Sequence, residues 1–133
     1  MNTKPILIVG GEPYSVFSEI FFKALNKIKI KKPIVLIASQ ALFTAQMKSL
    51  NFNFKINSVD STNLNLKNLK KNHINLINVD FKFKKPFNKI SNKSNSYIEK
   101  SFQIALKLLS TKKFAGLING PISKKHFLNN KFL

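Results

Sequence analysis

Three short apolar runs, at residues 4–9, 33–38 and 115–119, each stop at a turn-forming residue, and segments of helical period lie between them. The runs alternate too little for half-exposed strands and read as short buried ones, closed by Gly10-Gly11, by Ser39 and by Gly120-Pro121. After the first turn, residues 15–28 place Val16, Ile20, Ala24 and Ile28 four apart, with Phe17, Phe21 and Leu25 beside them, which predicts a helix with a wide apolar stripe. Ser39 is suited to N-cap a second helix carrying Leu42, Ala45, Gln46, Met47 and Leu50. A βαβαβ opening of this kind predicts an α/β fold: a mostly parallel sheet with right-handed crossovers and helices on both faces.

The middle of the chain is harder to read, because asparagine interrupts every periodicity. Residues 52–56 alternate as a strand, 74–79 form another candidate, and 61–72 read as an exposed excursion between them. Pro86 breaks any regular element. Ser96-Tyr97-Ile98-Glu99 fits a capping box, and Ile98, Phe102, Ala105 and Leu109, with Leu106 and Leu108 nearby, extend a long helix to Ser110. With 133 residues, 44% of them hydrophobic, the chain supports a single α/β domain over 1–133 and is small for a complete enzyme.

Function points first to the end of the last strand. Leu117-Ile118-Asn119-Gly120-Pro121-Ile122-Ser123-Lys124-Lys125 reads as strand, tight turn and helix start. Ligands of α/β proteins collect where strands deliver their carboxyl ends, and N–H groups at a helix N-terminus favour anions. Two lysines in a first turn oppose the helix dipole, so a bound anion would relieve them. Gly120, Pro121, Ser123 and Lys124 are therefore candidate ligand residues. Gly10-Gly11-Glu12-Pro13 follows the first strand, where Glu12 can orient a hydroxyl or ammonium group; the plainer alternative is a strand-to-helix turn with Glu12 near a helix N-terminus.

The net charge of +18 proposes a polyanion partner, but all 23 basic residues are lysine. Arginine, the better bidentate reader of phosphate and guanine, is missing, and the lysines are spread rather than gathered, which favours solvated surface over nucleic-acid binding. The thirteen Phe fall mostly on core stripes rather than on a base-stacking platform. Without cysteine there is no disulfide framework and no thiolate metal site, and a reducing, cytoplasmic setting is the expectation. No apolar stretch approaches the ~18 residues of a membrane span. Five acidic residues and two histidines, His73 and His126, without metal-ligand spacing, leave little for a self-contained metal or acid–base site. His73 reads as solvent-facing, and His126 as packed or exposed, though it follows the lysine pair closely enough to reach the same anion. Four glycines, at 10, 11, 116 and 120, supply neither Gly-x-Gly-x-x-Gly nor the Walker pattern.

With these turns placed, the chain resembles the N-terminal part of the 4-hydroxythreonine-4-phosphate dehydrogenase family of vitamin B6 biosynthesis. The resemblance is carried by Lys4-Pro5-Ile6-Leu7-Ile8 leading to Gly11-Glu12-Pro13 and Glu19-Ile20, by the long helix from Ser96 to Leu109, and above all by Leu117 to Lys124. It implies part of a two-domain fold similar to isocitrate and isopropylmalate dehydrogenases, a homodimer, NAD or NADP, and a divalent metal held by histidines. The implied reaction oxidises the 3-hydroxyl of 4-phosphooxy-threonine to a ketone, after which the β-keto acid loses carbon dioxide. It also implies that Glu12, Gly120, Pro121, Ser123 and Lys124 lie near this phosphorylated small-molecule substrate, with no catalytic or metal-binding residue in this chain. The family's metal histidines and Gly-His-Thr-Glu-like motif align beyond Leu133, so the chain is expected to be an incomplete portion, inactive alone.

Where the family continues its first turn with Ala-Gly-Ile-Gly-Pro-Glu, this chain has Tyr14-Ser15-Val16-Phe17-Ser18-Glu19, and the bulkier residues disfavour close ligand approach there. Two other readings stand beside the dehydrogenase: a lysine-rich polyanion-binding module, and a degenerate α/β dimerisation domain.

Overall fold

The computed structural model describes residues 4–28 and 31–123. Five parallel strands form one sheet: β1 (Ile6–Val9), β2 (Ile34–Ala38), β3 (Ile56–Ser58), β4 (Ile74–Asn78) and β5 (Gly116–Asn119). Their order across the sheet is β3-β4-β2-β1-β5. Three helices connect them: α1 (Phe17–Lys27), α2 (Gln40–Ser49) and α3 (Asn95–Leu109). The parallel α/β architecture expected from the buried runs is the one observed, with β1 aligned to β2 from Ile6 with Ile34 and to β5 from Ile6 with Gly116.

Alternation along each strand divides the core into two layers. Leu7, Val9, Val35, Ile37 and Ile77 face α3, where Tyr97, Ile98, Ala105 and Leu108 meet them. Ile8, Leu36, Ala38 and Leu76 face the other way, onto Phe21 and Phe22 of α1 and Phe43 and Met47 of α2. From β1 the sheet grows toward β2 under α1 and α2, then toward β5 under α3. Right-handed crossovers put helices on opposite faces when the direction reverses.

Several local expectations shift. Val16, Ile20 and Ile28 are 61%, 59% and 60% exposed, so the stripe they define is not the core face of α1. Val16 and Ile28 cap the helix, Ile28 with extended backbone, while Ser18, Phe21 and Phe22 turn inward because the phenylalanines bury more apolar area. Leu106 of α3 is likewise exposed. The strand expected at 52–56 begins only at Ile56, because Phe52 and Phe54 stack beside Phe22 with ring centroids 5.4 and 5.9 Å away. Part of the expected excursion at 61–72 returns to the core through Leu64 and Leu69. The capping box does not form either: α3 is entered two residues earlier through a 3₁₀ turn at Asn92–Ser94, its N-cap is Ser94, and Ser96 lies inside the first turn. Ser39 does cap α2, accepting from Leu42 N at 3.3 Å. Every described lysine is exposed. Among the described residues no helix is long and apolar enough to cross a membrane.

Candidate functional site

The sheet reverses its direction of growth at β1, so the carboxyl ends of β1 and β5 mark its topological switch point, the place where α/β sheets open a crevice for ligands. The two turns singled out in the sequence meet there. Gly120 N donates to Val9 O at 2.7 Å, and Glu12 N donates to Pro121 O at 2.8 Å. Glycine is required on both sides of this contact. A Cβ at Gly120 would stand 2.1 Å from Gly10 O; one at Gly11, whose φ is +75°, would stand 2.6 Å from Pro121 O.

Glu12 lies beneath this clasp at 2% exposure. Its carboxylate oxygens are 2.9 and 3.0 Å from Ser94 Oγ, at the N-terminus of α3, where the helix dipole favours negative charge. One residue thus joins the β1 turn, the β5 turn and α3. Gln46, buried in α2, donates through Nε2 to Pro13 O at 2.8 Å and to Pro86 O at 2.9 Å, tying the same turn to the segment after β4. Tyr97 of α3 accepts from Ser39 N at 2.9 Å, and burial, with the negative charge of Glu12 adding to it, pushes its phenol up to about 12. Tyr14 is raised as well, by partial burial first and then by Glu12.

The sequence matches the family model for the pyridoxal phosphate biosynthetic protein PdxA over residues 29–132. The chain belongs to the PdxA family. No curated protein matches it. Among solved structures it is similar to a 4-hydroxythreonine-4-phosphate dehydrogenase from Burkholderia phymatum, with 16% identity and a TM-score of 0.78 over 97% of this chain and 39% of that one. The corresponding dehydrogenase from Klebsiella pneumoniae gives 16% identity and a TM-score of 0.77, over 97% and 40%. A putative one from Salmonella typhimurium gives 18% and 0.75, over 96% and 39%. The chain thus spans about two fifths of the length of these structures.

In this PdxA-family chain the described ones among the expected substrate residues, Glu12, Gly120, Pro121 and Ser123, belong to the two clasped turns. Gly120 is buried in the clasp, Pro121 is exposed beside it and Ser123 is half-buried. Lys124, His126 and the helix expected to open at Ser123 lie outside the described residues, and Glu12 faces α3 through Ser94. His73 sits in a turn with Nδ1 2.9 Å from Lys71 O. Among the described residues no group of three or more His, Cys, Asp or Glu is placed to hold a metal ion, and no Gly-x-Gly-x-x-Gly turn follows β1. These residues do not by themselves fit the metal or the dinucleotide.

The sequence pattern puts Gln46 on an apolar stripe and does not single out Ser94. A polar residue at a buried helical position was the available signal for Gln46. For Ser94, whose partner is 82 residues away, the sequence offers none.

Proposed function

We propose that this chain forms one wall of the substrate cleft of an NAD- or NADP-dependent 4-hydroxythreonine-4-phosphate dehydrogenase, a homodimer of two-domain subunits working in the cytoplasm. Membership of the PdxA family supports the reading, and one observation carries its placement in the molecule: the β1 and β5 turns are clasped at the switch point, with Pro121 and Ser123 at its accessible rim. The reaction would oxidise the 3-hydroxyl of 4-phosphooxy-L-threonine to a ketone, and the resulting 3-oxo acid would lose carbon dioxide to give 3-amino-2-oxopropyl phosphate. A nicotinamide would accept the hydride and a divalent metal would polarise the oxygen; both would be held by parts of the protein other than the residues described.

The residues of this chain position rather than react. Gly120 and Gly11 let two backbones approach so that the rim is fixed, Glu12 anchors it to α3, and Ser123 with Lys124 offers a hydroxyl and a cation to the substrate phosphate. The test compares the 133-residue chain with a protein extended to the length of its structural relatives, measuring reduced nicotinamide formed from 4-phosphooxy-threonine. Turnover is expected only in the longer protein. Equal turnover in both would overturn the single-wall reading, and none in the longer one would overturn the substrate. In the longer protein Lys124→Ala should raise KM about 10-fold or more with little effect on folding. An unchanged KM would remove Lys124 from the phosphate site.

A further inference from the structure

Beneath the clasp, the β1 turn, the start of α1 and the start of α2 line a half-open cavity of about 20 Å³ whose walls include Ser18, Ser39 and Tyr97. Ser18 is 3% exposed, and its Oγ has no hydrogen-bond partner within the protein. An orphaned buried hydroxyl costs about 1–3 kcal/mol, so such groups are rarely left unmatched. Tyr97 Oη accepts from Ser39 N and is also hydrogen-bonded to the Ser101 side chain, and a phenol oxygen with two lone pairs can accept one bond more.

Size selects the ligand. A water needs roughly 10–15 Å³ of such volume and two to four polar partners. This space meets the first figure and is too small for a phosphate or a carboxylate. We propose that the cavity is a binding site for a single water molecule, held by Ser18 Oγ and Tyr97 Oη, which links α1 to α3 under the β1 turn. The site is independent of the dehydrogenase reading, since it rests only on the cavity and the unmatched hydroxyl.

The sign of one stability change tests it. If Ser18 Oγ binds water, Ser18→Ala removes a partner and should lower Tm by a few degrees, even though alanine is the better helix former by a few tenths of a kcal/mol. If the hydroxyl is truly orphaned in a dry space, the same change removes a penalty and Tm should rise or stay level, which would overturn the proposal. A high-resolution crystal structure of the protein gives the direct check. A solvent peak within about 2.6–3.2 Å of both Ser18 Oγ and Tyr97 Oη is expected. A dry cavity, or Ser18 Oγ turned onto the Tyr14 carbonyl, would also overturn it.

Discussion

The two flanks of the sheet are secured by different chemistry. On the β5 side, backbone meets backbone: the turns of Val9 to Gly11 and Gly120 to Pro121 approach so closely that at Gly11 and Gly120 only a hydrogen atom fits where a side chain would begin. On the β3 side, side-chain amides tie the neighbouring loop to the sheet. Asn75 Oδ1 accepts from Lys70 N and from Asn57 Nδ2, both at 2.9 Å, while its own Nδ2 donates to Ile34 O and Lys70 O at 3.2 Å. The first solution fixes position to within a van der Waals contact. The second holds a loop while leaving a groove of about 510 Å³ beside it, lined by Asn57, Asp60, Asn65 and Lys67 among others. A rim that must present atoms to a ligand at defined places is better built the first way.

That contrast is broken most severely at Gly120. Gly120→Ala puts a methyl group 2.1 Å from Gly10 O, a backbone atom that moves only if β1 and β5 part, so a loss of about 3 kcal/mol or more is expected in urea unfolding. Gly11→Ala should follow closely, because a positive φ adds strain to the contact with Pro121 O. A midpoint within about 0.5 M urea of the parent for either variant, at roughly 1–3 kcal/mol per M, would show that the two turns can part at little cost.

On the opposite flank Asn75→Ala should cost somewhat less, about 2–3 kcal/mol. It leaves Lys70 N and Ile34 O without this partner but creates no clash. Retained stability with faster hydrogen exchange confined to residues 64–72 would mean that the amide holds the loop alone.

The legibility of the sequence follows the same division. Backbone solutions leave glycine and proline at the point of contact, so Gly10-Gly11 and Gly120-Pro121 could be marked as turns, and the buried runs of β1 and β2 could be read from their lack of alternation, whereas β5 is a strand as expected but not a buried one, with Ile118 54% exposed because among the described strands β5 has a neighbour only on its β1 side. Side-chain solutions look like noise: Asn57 and Asn75 interrupt the periodicity of the very strands they secure. The face of α1 was unreadable for another reason. Val16, Phe17, Ile20, Phe21 and Phe22 make it apolar over more than half its circumference, and only the position of α2, with Phe43 4.7 Å from the Phe22 ring, decides which flank is covered. The destination of the Glu12 carboxylate depends on where α3 begins, and that is a property of the assembled fold.

Between the flanks, Tyr97 ties α3 to the start of α2 and makes stability sensitive to alkali. Its folded pKa of about 12 exceeds the ordinary value of 10.0. The folded state therefore prefers the protonated phenol, and this contribution is complete below pH 10 and is lost as pH rises through 12. Tyr97→Phe should lower stability by about 1 kcal/mol at neutral pH, through the bond from Ser39 N, yet flatten the alkaline fall. Equal slopes for the two proteins above pH 10 would mean that Tyr97 ionises without unfolding pressure.

The smallest expected effect lies at the carboxyl end of β4. Asn78 Oδ1 accepts from Gln40 N at 2.8 Å, supplying from a neighbouring strand one of the acceptors that the first turn of α2 needs, while its Nδ2 donates to Asp80 Oδ1 at 2.9 Å. The site is exposed, so water replaces the amide when it is removed, and Asn78→Ala should cost only about 0.5–1 kcal/mol. Ser39 still caps the helix through Leu42 N, which keeps the loss near the lower figure. A double variant with Ser39→Ala then sharpens the contrast: if the two caps serve the same helix end, their combined cost should exceed the sum of the single costs. Simple additivity would show that Asn78 acts on β4 alone, and that side chains on this flank work locally where the glycine clasp works across the sheet.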